Sequence, residues 1–185
     1  LFFDELQEIQ GWERYVRQKL DENYKVVITG SNASLMSREL GTKLTGRHLD
    51  SELFPFSYGE YLHAAEAKGG EVSVRDYLDK GGFPAFIMSD DERILSDLFE
   101  DILLRDIIIR YGIRDIKGLQ RLALWLISNI SNLVTATGVK QVAGISATST
   151  IMEYFSHLES SYLFHFVPRF SYSVRSRMIS PRKVY

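Results

Sequence analysis

The sequence predicts an α/β segment followed by a mainly helical one that closes on a winged helix-turn-helix. Three observations carry that prediction. Two short apolar runs, Leu1–Phe3 and Tyr24–Thr29, flank a helical stripe. The middle of the chain repeats apolar residues at helical spacing over long stretches. Near the end, two helices, a tight glycine turn and a third helix precede a run that alternates like a hairpin.

Each element has its own local reason. Trp12, Tyr15, Val16 and Leu20 recur at three- and four-residue intervals, which predicts a helix between the first two strands. Strand, helix and strand with short joints form a parallel βαβ unit with a right-handed crossover. A short helix over Ser34–Leu40 and a third strand over His48–Leu53 follow, and Pro55 ends that strand. Ser57 caps a helix running to Lys68, with Glu60 at the capping-box position and Gly69-Gly70 as its stop. Ser73–Lys80 is a short helix stopped by Gly81-Gly82, with Pro84 reinforcing the break. Asp90, Asp91 and Glu92 place acids at the start of a long helix that ends near Tyr111-Gly112. Helices over Ile116–Asn129, Val139–Ala143 and Ser146–Ser160 come next, the last capped by Ser146. Leu163–Val167 reads as a strand, Pro168 interrupts it, and Phe170–Val174 alternates as its partner.

Composition narrows the chemistry. The 185 residues are 45% hydrophobic, enough for one large or two small cores. There is no Cys, so disulfides, thiolate metal sites and cysteine nucleophiles are excluded. The four His residues lack metal-ligand spacing. The longest apolar run is too short for a membrane span, which predicts a soluble cytoplasmic protein. Net charge is −2, yet His165–Tyr185 holds five basic residues and no acid, so the first 164 residues carry −7.

The chemistry-bearing residues cluster at predicted strand ends. Asp4 and Glu5 follow the first strand directly, at the edge where open parallel sheets bind ligands. There Asp4 is suited to hold Mg²⁺ through a water, and Glu5 to orient an attacking water. The second strand ends in Ser31 and Asn32, polar side chains that can reach a γ-phosphate or that water. Arg47 offers a planar donor fork suited to a transferring phosphoryl group. Loop-capping acids and an exposed strand-end arginine are the ordinary alternatives. No phosphate-loop motif, Gly-x-x-x-x-Gly-Lys-[Ser/Thr], occurs; Gly41-Thr42-Lys43 and Gly138-Val139-Lys140 both fail it.

Taken in order, Phe2-Phe3-Asp4-Glu5-Leu6-Gln7, Gly11-Trp12-Glu13, Ile28-Thr29-Gly30-Ser31-Asn32, Leu44-Thr45-Gly46-Arg47 and Leu53–Leu62 resemble one family. Gly81-Gly82-Phe83-Pro84, Arg105-Asp106-Ile107, Phe170-Ser171-Tyr172 and Pro181–Tyr185 continue the match. It is similar to the prokaryotic AAA-type P-loop ATPases that carry a restriction-endonuclease-like C-terminal domain. The resemblance implies a partial P-loop parallel sheet over 1–68, a helical lid over 69–115 and a winged-helix domain with a basic hairpin over 116–185. It also implies binding and hydrolysis of ATP with Mg²⁺, Asp4 and Glu5 in the Walker B roles, Asn32 or Ser31 as sensor and Arg47 as a finger acting in trans. The phosphate loop is then expected upstream of Leu1 and the nuclease-like domain beyond Tyr185. Without the loop's N–H cradle, the chain alone is expected neither to hold ATP tightly nor to hydrolyse it.

A second reading is a DNA-binding regulator built on the winged helix. Its expected recognition helix, Ala147–Ser160, has Glu153 and Glu159 but no Lys or Arg, which disfavours entry into a groove. Arg169, Arg175, Arg177, Arg182 and Lys183 are the candidate nucleic-acid contacts, with Arg175 and Arg177 projecting to one side if they lie on a strand. A third reading is self-association through the helix over Asp90–Tyr111.

Overall fold

The computed structural model describes residues 1–6, 9, 11–30 and 49–185, which divide into two compact units. One comprises Leu1–His48 with Ile102–Tyr185, the other Leu49–Asp101.

In the first unit, β1 (Phe2–Phe3) and β2 (Val27–Ile28) run parallel, with Phe2 opposite Val27 and Phe3 opposite Ile28. Between them lies α1 (Trp12–Asp21), entered through Gly11 at φ 80°, a left-handed conformation that glycine adopts without cost. Trp12 and Val16 bury against Leu6, and Phe3, Leu20, Val26 and Ile28 pack around them. Phe3 points to α1 and meets Tyr15 edge to face at 5.9 Å, whereas its neighbour Phe2 is 86% exposed. This is the period-two alternation of a strand.

The rest of this unit is a helical core closed by a small sheet. A π-helix (Ile102–Ile109) buries Leu103, Ile107 and Ile108. Next come α6 (Ile116–Ile127), β3 (Leu133–Val134), α7 (Ala136–Ala143) and α8 (Thr148–Ser160). α7 packs on both α6 and α8. Leu119, Leu122, Leu126, Ile151 and Leu158 are fully buried. Asp115 and Thr135 cap α6 and α7 by accepting from the amides of Gly118 and Gly138 at 2.9 Å each. Gly144 at φ 70° ends α7, and Arg121 donates to the Ala143 carbonyl at 2.7 Å beside it. The sheet has β5 (Arg182–Val184) at its centre, antiparallel to β3 on one side and to β4 (Phe166–Pro168) on the other. Its inner face, through Val134, Phe166 and Val184, joins the helical core, where Phe155 stacks on Phe166 at 4.5 Å.

The second unit holds four short helices: α2 (Tyr58–Ala64), α3 (Glu71–Lys80), α4 (Pro84–Ser89) and α5 (Arg93–Asp101). α2 packs on α3 and on α4, and α4 on α5. The capping box at α2 is present as expected, with the Glu60 amide bonded to the Ser57 hydroxyl and the Ser57 amide donating to the Glu60 carboxylate at 2.8 Å. Tyr77 rests against Tyr58 and Tyr61 and donates to the Phe56 carbonyl at 2.7 Å.

Several elements differ from the sequence expectation, each for a local reason. α2 stops at Ala64, not Lys68, because Glu66 turns left-handed at φ 50° and the Ala67 amide reaches back to the Leu62 carbonyl at 2.9 Å. The break at Gly81-Gly82 stands as expected, and Pro84 then opens α4, since the first helical position needs no N–H. The helix expected from Asp90 starts at Arg93, because Asp90 is left-handed at φ 55°, and beyond Asp101 it widens into the π-helix. That widening re-phases an apolar run that α-helical spacing treats as one stripe. Residues 49–53 form no strand, and Leu49 and Leu53 are fully exposed. The helix expected over Ser34–Leu40 lies outside the described residues. α8 starts at Thr148 behind Ala147, so Ser146 is not its cap. Phe170–Val174 forms no strand: the Ser173 hydroxyl accepts from the Ser176 amide and starts α9 (Val174–Ile179). Arg175 and Arg177 therefore lie on a helix, where residues two apart diverge rather than share a side. No helix among the described residues is long and apolar enough to cross a membrane.

Candidate functional site

The parallel pair sets the geometry of the candidate site. The Val27 amide donates to the Leu1 carbonyl and the Thr29 amide to the Phe3 carbonyl, both at 2.9 Å. That register brings the residues after β1 alongside the residues after β2. There the Thr29 hydroxyl donates to Asp4 Oδ1. The last residue of the second apolar run, given no role in the site by the sequence, thus fixes the carboxylate of the leading site candidate. The available signal was the parallel pairing itself, because equal strand ends put Thr29 next to Asp4.

Asp4 and Glu5 are exposed, lie on no helix, and bend away from β1 before Leu6 returns to the core. Glu5 has φ 48°, a left-handed conformation that a non-glycine residue adopts only when its surroundings impose it. On either side of the acid pair Phe3 and Leu6 pack into the α1 cluster. The carboxylate pair is therefore presented on a turn between the half-buried Phe3 and the buried Leu6.

Ser31, Asn32 and Arg47 lie outside the described residues. The basic candidates are spread along the C-terminal part. Arg169 follows β4, Arg175 and Arg177 sit on α9, and Arg182 and Lys183 on β5. All are exposed except Arg182, which is half-buried between Val134 and Pro168 in the sheet register.

No group of three or more metal-ligating side chains occurs among the described residues. That does not conflict with the cation the site suggests. Mg²⁺ keeps several waters and takes one or two protein carboxylates plus substrate phosphates. Asp4, with Oδ1 steadied by Thr29, could supply one carboxylate of such a set.

Comparison with known proteins divides the chain between residues 62 and 71, a boundary that falls inside the unit Leu49–Asp101. Residues 1–62 match the family model described as an AAA domain, so this segment is AAA-like. An uncharacterized protein of Haemophilus influenzae is 34% identical over 174 residues, covering 88% of this chain and 44% of that protein. An uncharacterized protein of Methanocaldococcus jannaschii is 30% identical over 210 residues, covering 100% of this chain and 46% of that protein. The chain thus spans less than half the length of these curated relatives. No solved structure matches it. Residues 71–185, well over half of the chain, match the model of a domain of unknown function, DUF8612, and the chain belongs to that family.

Proposed function

We propose that residues 1–62 are the water- and cation-positioning part of an ATP-hydrolysing AAA domain. The observation that carries this reading is the paired acid turn at the end of β1, with Asp4 held by Thr29 from the parallel neighbour. The AAA-domain match over the same residues supports it. In this reading Asp4 would hold Mg²⁺ through a water, and the ion would supply neutralisation of charge on the phosphate oxygens. Glu5 accepts a hydrogen bond from the attacking water, aligns it with the γ-phosphorus and takes its proton as the new P–O bond forms and the P–O bond to the departing ADP breaks. Ser31 or Asn32 would contact the γ-phosphate, and Arg47 would serve a neighbouring subunit's site.

The corresponding architecture is α/β followed by mainly α: a partial P-loop sheet, a helical lid and a winged helix. Supporting the winged helix is the order of α6, β3, α7, α8, β4 and β5 with β5 central. The acidic residues of α8, Glu153 and Glu159, argue for a scaffold rather than a groove reader.

The test is Mg²⁺-dependent ATPase activity of the protein extended upstream to include a phosphate loop. Glu5→Gln is expected to lower kcat by about a hundredfold or more while leaving nucleotide affinity nearly unchanged. Full activity in that variant removes Glu5 from the mechanism.

A further inference from the structure

The outer face of the C-terminal sheet is exposed and carries one cation, Lys183. In register, Lys183 lies between Leu133 and Val167, and all three are exposed. Directly opposed residues share a face, so these three form one row. Past β4 the chain presents Phe170, 79% exposed, and Tyr172, 94% exposed, edge to face at 5.3 Å. Two adjacent aromatic rings left this open are poorly accounted for by packing within the unit, whose Tyr154, Phe155, Phe164 and Phe166 are all buried. Exposed Arg175 and Arg177 follow on α9. From His165 to Tyr185 there are five cationic side chains and no carboxylate, in a chain of net charge −2.

We propose that this C-terminal stretch binds single-stranded nucleic acid, with Lys183 and, on diverging sides of α9, Arg175 and Arg177 against phosphates along the strand's path, and Phe170 and Tyr172 stacked on unpaired bases. Charge complementarity selects a polyanion. The exposed rings select one whose bases are free to stack, since each base offers a π-face only when unpaired. A duplex docked in the usual way through α8 would meet Glu153 and Glu159 instead. The proposal does not depend on the hydrolysis reading, because no residue of the Asp4–Glu5 turn takes part.

The experiment is fluorescence anisotropy of the full chain with a labelled oligothymidylate and with a duplex of equal length, across salt concentrations. Oligothymidylate is expected to bind at low salt, with log affinity falling against log salt by about 0.7 per phosphate contact. Replacing both rings (Phe170→Leu with Tyr172→Leu) is expected to weaken binding by about tenfold, with circular dichroism unchanged because both side chains are exposed. Arg175→Ala with Arg177→Ala is expected to flatten the salt slope. Three outcomes overturn the proposal. One is no anisotropy change at low salt. Another is equal binding of the duplex with the ring variants silent. The third is self-association by light scattering that Arg175→Glu with Arg177→Glu abolishes, without oligonucleotide binding, which would make the face an interface between copies.

Discussion

The Asp4 carboxylate is held from the neighbouring strand by a single hydroxyl, that of Thr29. A hydrogen bond to a charged group contributes more than a neutral one, because the acceptor would otherwise reorient among waters. Thr29→Val keeps the side-chain shape and removes the donor. In the extended protein it is expected to lower ATPase activity by about tenfold with an unchanged far-ultraviolet spectrum, whereas Thr29→Ser should retain most of it. Unaltered activity in Thr29→Val would detach Thr29 from the site. A second residue-scale effect belongs to His157 on α8, which stacks on Tyr111 at 3.7 Å. Burial pushes its imidazole below the ordinary value of 6.5, and Glu153, 3.8 Å away, offsets part of that. The unfolded chain then binds the proton more readily than the folded one. Stability from this site is complete above about pH 6.5 and is lost as pH falls through the lowered folded value. Thermal unfolding followed from neutral to mildly acidic pH should show that loss, and His157→Phe should flatten it.

Among the elements, the joint between Phe56 and Gly82 shows how the second unit is tied together. The Phe56 amide donates to the Gly82 carbonyl at 2.7 Å, and a Cβ on Gly82 would lie 2.2 Å from the Phe56 carbonyl oxygen. Only glycine allows that approach, because the obstacle is backbone that cannot rotate aside. Gly82→Ala is expected to destabilise the protein by roughly 1–3 kcal/mol in urea unfolding, and Gly70→Ala, with open space around its Cβ position, by less. Legibility differed among the elements for physical reasons. The capping box of Ser57 and Glu60 and the stop at Gly81 were readable, because each is a local exchange of hydrogen bonds between near neighbours. The early end of α2 at Glu66 was not, because a left-handed acid is unfavourable alone and persists only when later chain packs around it. The strand expected over Phe170–Val174 does not form although Phe170, Tyr172 and Val174 alternate, because Ser173 caps a helix that begins at Val174.

At the scale of the whole molecule, burial is unequal between the two units. Ile107, Leu119, Leu122, Leu126, Ile151 and Leu158 in the first unit are at 0% exposure, whereas the second unit buries Tyr61 at 6% and Phe86 at 7% as its best-covered apolar residues. Amide hydrogen exchange should therefore be slowest in α6 and α8 and fastest within Leu49–Asp101, since local opening is cheapest where least apolar area is buried. Equal protection in both units would contradict this. The acid turn, its place after an apolar strand, the helical middle and the cationic C-terminal stretch were all settled by sequence alone, because they depend on residue type and short spacing. The partner of Asp4, the central position of β5 and the uncovered row of Leu133, Lys183 and Val167 were decided only by tertiary structure. Each of these joins residues that lie far apart along the chain, and only strand register determines which of them meet.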